Sequence, residues 1–77
     1  MLYYPYMTSS NQDKQRKELG EKLRSVREKA KLTQQEVADA ADMHVNYYAR
    51  IERGEENPSY DKLQNIKKAL NIKSLGL

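Results

Sequence analysis

The stretch TQQEVADAADMHVNYYARIERG, residues 33–54, decides how this chain folds. Thr33 stands three residues before Glu36, the spacing of a capping box, in which the hydroxyl accepts from the amide of residue 36 and the carboxylate accepts from the amide of Thr33. A helix therefore starts at Gln34. Val37, Ala38 and Ala41 lay a small apolar stripe along it. Asp42 falls where the chain has to turn, and Asp visits left-handed backbone angles more readily than most residues. A second helix follows from His44 or Val45, with Tyr48 and Ile51 one turn apart on its buried side. Gly54 ends it by taking a positive φ just past the last turn. Two short helices joined by so short a turn cannot run antiparallel for long, so they cross steeply. This is a helix-turn-helix, whose second helix typically enters a DNA major groove while the first crosses the phosphate backbone.

The flanks supply the rest of a bundle. Leu19, Leu23, Val26 and Ala30 recur at i, i+4, i+7 and i+11, one apolar stripe on a helix over about residues 12–30, which Ser10, Asn11 or Asp13 can each cap. Lys29 and Lys31 sit at its C-terminal end, where the macrodipole favours them. After the polar loop Glu55-Glu56-Asn57-Pro58, Ser59 is an N-cap and Asp61 a first-turn acid for a further helix over residues 60–70, with Leu63, Ile66 and Leu70 at i, i+3 and i+7. Ile72 and Leu75 can add apolar closure, but the tail KSLGL is too short and Gly-interrupted to predict a fifth helix. The expected core is Leu19, Leu23, Val26, Leu32, Val37, Ala38, Met43, Tyr48, Ile51, Leu63, Ile66 and Leu70.

Residues 1–12, MLYYPYMTSSNQ, show no helical period, and proline disfavours helix in the residue before it. A flexible N-terminal arm is expected there, with residues 13–77 forming the folded domain. The tyrosines Tyr3, Tyr4 and Tyr6 could dock on a partner subunit or touch DNA, or belong to a plain tail.

Composition narrows the function. A chain of 77 residues has room for one domain and a small core. With no Cys and a single His, it offers no disulfide, no thiolate metal site and no imidazole constellation, so neither a metal, a cofactor nor enzymatic catalysis is expected. No apolar run is long enough to span a bilayer and no secretory signal opens the chain, so it reads as cytoplasmic, with no membrane partner. The net charge of +3 suits a polyanion without proving one. Its distribution is uneven: between Leu32 and Asn57, six acidic residues face only Arg50 and Arg53. The reading region is thus acidic, which argues against a tight, purely electrostatic binder.

The segment from Leu19 to Ile72 resembles the phage-repressor-like (Cro/CI-type, XRE-type) helix-turn-helix domain. The pattern L-G-x-x-L-R-x-x-R at residues 19–27, L-T-Q-x-E-x-A at 32–38, Y-x-x-R-I-E-R-G at 47–54 and N-P-S at 57–59 occur in family order and spacing. The resemblance implies an all-α, lambda-repressor-like bundle of four to five short helices. It also implies a sequence-specific transcriptional regulator, most often a repressor, that binds double-stranded DNA as a homodimer on a pseudo-palindromic operator.

By position, the resemblance assigns Val45, Asn46, Ala49 and Arg50 to base reading. Helical geometry agrees: at about 100° per residue, positions 45, 46, 49, 50 and 53 lie opposite Tyr48 and Ile51. Asn46 suits adenine N6 and N7, Arg50 suits guanine O6 and N7, and Val45 or Ala49 suits a thymine methyl. Gln34 matches a glutamine that contacts phosphate or braces the recognition helix. His44, at the N-cap where the family usually carries Ser or Thr, Tyr47, Arg53 and Asn57 are further phosphate candidates, and Arg27 and Glu52 match a structural ion pair. Two departures stand out: Asp42 replaces the usual turn glycine, and Glu55-Glu56 replace a loop that often carries Lys. An alternative on the same fold is a protein-interaction module, such as the antitoxin of a toxin–antitoxin pair, engaging a protein partner through the acidic loop or the aromatic arm.

Overall fold

Capping chemistry and apolar spacing divide the chain into four helices: α1 Pro5–Lys29, α2 Gln34–Ala40, α3 Val45–Glu52 and α4 Tyr60–Ala69. The computed structural model describes the backbone of residues 5–72 and the side chains of residues 11–72. Among these residues there is no strand, and the architecture is the expected all-α bundle.

Each N-terminus downstream of α1 is closed by the residue before it. Thr33 Oγ1 accepts from the Glu36 amide at 3.0 Å, and Glu36 Oε1 accepts from the Thr33 amide at 2.8 Å, completing the capping box. His44 Nδ1 accepts from the Asn46 amide at 3.1 Å, and Ser59 Oγ from that of Lys62 at 3.2 Å.

The C-termini share a single device, the Schellman turn, in which one residue in the left-handed region lets two amides reach back to orphan carbonyls. Lys31, Asp42, Gly54 and Asn71 take φ of 61°, 58°, 77° and 56°. After α1, for example, the Lys31 amide donates to Glu28 O at 3.0 Å and the Leu32 amide to Arg27 O at 3.1 Å. The residues that follow three of these turns, Leu32, Met43 and Ile72, drop apolar side chains against the core. Asp42 and Gly54 are where the sequence places turns; Asn71 is also a residue type that tolerates left-handed angles, and Lys31 is not.

A left-handed lysine costs about 1 to 2 kcal/mol, and glycine at the same angle returns part of that through its larger unfolded-state entropy. Lys31→Gly is therefore expected to stabilise the domain by about 0.5 to 1 kcal/mol, read as a rise of a few degrees in Tm. An unchanged or lower Tm would show that the lysine sits there without strain.

Leu19, Leu23, Val37, Ala38, Ala41, Tyr48, Ile51, Ile66 and Leu70 form the buried core. Val26, Leu32, Met43 and Leu63, expected inside, are half-buried around it. Each fully buried large side chain, such as Leu23 or Ile51, contributes on the order of 1.5 to 3 kcal/mol. The principal packings are α1 on α3, α2 on α3 and α2 on α4, so α3 is gripped from two sides. Where α1 crosses α3, Gly20 is buried and a Cβ there would lie 2.3 Å from the Glu52 carbonyl oxygen.

One boundary differs from expectation. The arm expected over residues 1–12 gives way to helix from Pro5, about two turns before the predicted start of α1, and none of Ser10, Asn11 or Asp13 acts as its cap. Apolar period reports burial and not helicity, so its absence does not exclude a helix. Proline is favourable at the first helical position, where its missing N–H has no intrahelical partner to lose. Asp13 and Arg16 pair one turn apart just after this extension. Residues 1–4, among them Tyr3 and Tyr4, the side chain of Tyr6, and residues 73–77, among them Leu75, lie outside what is described.

Candidate nucleic-acid interface

The recognition helix is fixed first by what it buries. Tyr48 and Ile51 are fully enclosed, so the rotation of α3 about its own axis is set and its opposite arc must face outward. On that arc Asn46 and Arg50 are exposed, and Ala49 is half-buried between them. Val45 is half-buried and packs against the rim of the core, leaving only part of its surface outward. Tyr47 also packs its ring against the core edge. Thus Asn46, Ala49 and Arg50 stand out from the helix, and Val45 and Tyr47 flank them with divided roles.

The inner end of α3 is held by a polar lock. Arg27 Nε donates to Glu52 Oε2 at 2.7 Å and its terminal nitrogen to Oε1 at 3.1 Å, while its other nitrogen donates to the Leu32 carbonyl at 2.9 Å. Gln34 Nε2 donates to Glu52 Oε1 at 3.0 Å. One carboxylate therefore ties α1, the α1–α2 link and the start of α2 to the last residue of α3. The side chains are 12% and 3% exposed for Arg27 and Glu52.

Burial pushes the Glu52 carboxyl up, but hydrogen bonds from Arg27 and Gln34, with the Tyr48 hydroxyl beside it, outweigh that and hold it below its ordinary value. The same hydrogen bond to Glu52 raises Arg27, against the smaller effect of its own burial. The Tyr48 hydroxyl is pushed far up, first by burial and then by the Glu52 charge. It makes no hydrogen bond of regular geometry.

The remaining candidates are distributed around this helix. Gln34, which the resemblance assigns to phosphate contact or to bracing, braces, and an amide with two N–H groups keeps one for another acceptor. Gln34, Val45 and Arg53 share one open concavity of about 770 Å³ with Arg24, Thr33 and Gln35. Asn57 lies elsewhere, in a second depression with Gln12, Arg16 and Leu63. His44 uses Nδ1 as the α3 cap, which in the neutral ring leaves its proton on Nε2, facing away from the helix.

Arg53 and Arg50 are not bare. Arg53 is forked onto Glu55 and Arg50 Nε lies 3.5 Å from Glu56 Oε2. Gly20 and the acidic pairing are the two features of the site that inspection of the sequence missed. The first shows there only as a glycine within a helical pattern, and the second only as like charges following two arginines.

Among the described residues no group of acidic and histidine side chains is arranged to hold a metal ion, and no helix is long and apolar enough to cross a membrane.

Comparison with known proteins places this geometry. A family profile described as Helix-turn-helix matches residues 23–77. The control protein C.BamHI of Bacillus amyloliquefaciens is 39% identical over 54 residues, covering 69% of this chain and 67% of the relative. The immunity repressor protein of Bacillus phage phi105 is 37% identical over 54 residues, covering 70% of this chain and 38% of the relative. Among solved structures, the restriction-modification controller protein C.AhdI from Aeromonas hydrophila superposes with a TM-score of 0.75 at 27% identity, covering 77% of this chain and 89% of that one.

Proposed function

Because this chain belongs to the phage-repressor-like helix-turn-helix family, a family of DNA-binding regulators and not of enzymes, we propose that it reads a specific operator with α3 and acts as a homodimeric transcriptional repressor in the cytoplasm. The observation that carries this reading is the division of α3: Tyr48 and Ile51 are locked inside while Asn46 and Arg50 are exposed on the opposite arc. A helix of that diameter fits the major groove, and its outward side chains match base-edge chemistry.

In this reading Asn46 pairs with adenine, Arg50 pairs with guanine, and Val45 and Ala49 pack on thymine methyls. Gln34, His44, Tyr47, Arg53 and Asn57 meet the phosphates on either side, with His44 donating from Nε2. Phosphate contacts set position, and base contacts set sequence. Repression is supported by the phage relative, an immunity repressor. Two-fold symmetry follows from the need of so small a reading surface for a second half-site.

Asn46→Ala and Arg50→Ala are each expected to lower discrimination at one base position by about 1 to 3 kcal/mol while the fold is retained, since both side chains are exposed. The check is a binding series over single-base variants of the preferred duplex. If both variants keep the wild-type preference, α3 is not the reading element.

A further inference from the structure

Arg50, the last of the proposed base-reading residues, and Arg53 one turn on both meet the acidic loop. Arg53 Nε and its terminal nitrogen donate to Glu55 Oε2 and Oε1 at 3.0 and 3.1 Å, fork against fork. Arg50 meets Glu56 through Nε alone, at 3.5 Å. The loop that carries these carboxylates is itself fixed. The Glu55 amide donates to the Arg50 carbonyl at 2.9 Å, and Gly54 is pressed so closely on α1 that a Cβ would lie 2.7 Å from Lys17 Cγ. The Gly54 carbonyl also accepts from Arg16 Nε at 3.4 Å. The carboxylates are thus presented to α3 by backbone bonded to α3.

A carboxylate accepting two N–H groups along one edge of a guanidinium has the geometry of a phosphate doing the same. We propose that Glu55 and Glu56 are a built-in phosphate mimic, which masks Arg53 and Arg50 from the backbone of nonspecific DNA and so raises sequence discrimination. This rests on the DNA-reading function proposed above.

Arg53 has its Nε edge taken, so a phosphate must displace Glu55 to use that edge, while Arg50 is engaged through Nε alone. Both keep a terminal edge, and that of Arg50 can pair with the neutral acceptors of guanine. A phosphate approaching the same edge meets the negative charge of Glu56, and guanine does not. Nonspecific binding, which is almost wholly phosphate contact, is weakened more than base-specific binding.

The test is a thermodynamic cycle on the full chain, with a random-sequence duplex and the preferred duplex titrated between about 50 and 200 mM salt. The variants are Glu55→Gln/Glu56→Gln, Arg50→Gln/Arg53→Gln and the combination of all four. Unmasking is expected to tighten binding to the random duplex. It should also steepen the loss across that salt range by about 3-fold for one released arginine and about 10-fold for two. The ratio of preferred to random affinity falls accordingly, and in the arginine-free background the glutamate changes do nothing.

Equal tightening in that background would show a simple net-charge effect and overturn the proposal, as would an unchanged salt slope. If neither wild type nor any variant binds either duplex, the DNA-reading function itself has failed, and the mask with it.

Discussion

Arg27→Ala is expected to destabilise the fold by about 3 to 5 kcal/mol, the cost of leaving a buried charge without its partner. A domain of 77 residues has roughly 4 to 12 kcal/mol of total stability, so much of it disappears in one substitution. The effect is asymmetric. Glu52 is 3% exposed and cannot recover water when Arg27 is gone, whereas Arg27 at 12% lies nearer the surface and can swing outward when Glu52 is gone. Arg27→Ala should therefore cost more than Glu52→Gln, and replacing both with apolar residues of similar size should cost less than Arg27→Ala alone. Denaturant unfolding of the three variants checks the order. Equal small losses would mean that the pair is a surface contact in solution.

The same pair dictates a pH signature. Glu52 binds its proton less readily when folded than when unfolded, because its hydrogen bonds outweigh its burial. Its contribution is complete above the ordinary carboxyl value of 4.5 and is lost as the pH falls from there through the lower folded value. Wild-type stability should thus fall on acidification below that point, and Glu52→Gln should flatten the fall.

Gly20→Ala is the second large effect, with an expected net loss of about 1 to 2 kcal/mol. Two opposing terms decide it. Alanine favours helix over glycine by about 1 kcal/mol, but the added Cβ would lie 2.3 and 2.6 Å from the carbonyl oxygens of Glu52 and Ile51. Both are backbone atoms, so α1 and α3 must part, and overpacking of this kind costs about 1 to 3 kcal/mol or more. The overlap wins. Since the displaced atoms belong to the end of α3, base discrimination should weaken along with stability, unlike the effect of Lys31→Gly. A gain in Tm would show that the helices cross less closely than described.

How far the sequence discloses this molecule depends on whether a feature is local. The Thr33–Glu36 box, the Ser59 cap, the turn at Asp42 and the ending at Gly54 are bonds between near neighbours, and their chemistry can be read in order along the chain. The core positions follow from period. Long-range consequences are harder. Gly20 answers to a carbonyl thirty-two residues away. Lys31 takes a left-handed angle because Leu32 must be turned inward, not because its own side chain favours it. The extension of α1 back to Pro5 shows no apolar period in the sequence. At the interface, the direction of Asn46 and Arg50 was legible from helical geometry, but the capture of Arg50 and Arg53 by Glu56 and Glu55 was visible only as an acidic loop.

If α3 reads bases, selection of the wild-type chain against a random duplex pool, at low and then near-physiological salt, enriches a two-fold motif whose half-sites lie about one helical turn apart, and the enrichment survives at the higher salt. A pool that stays random, with weak binding that salt abolishes, would contradict it.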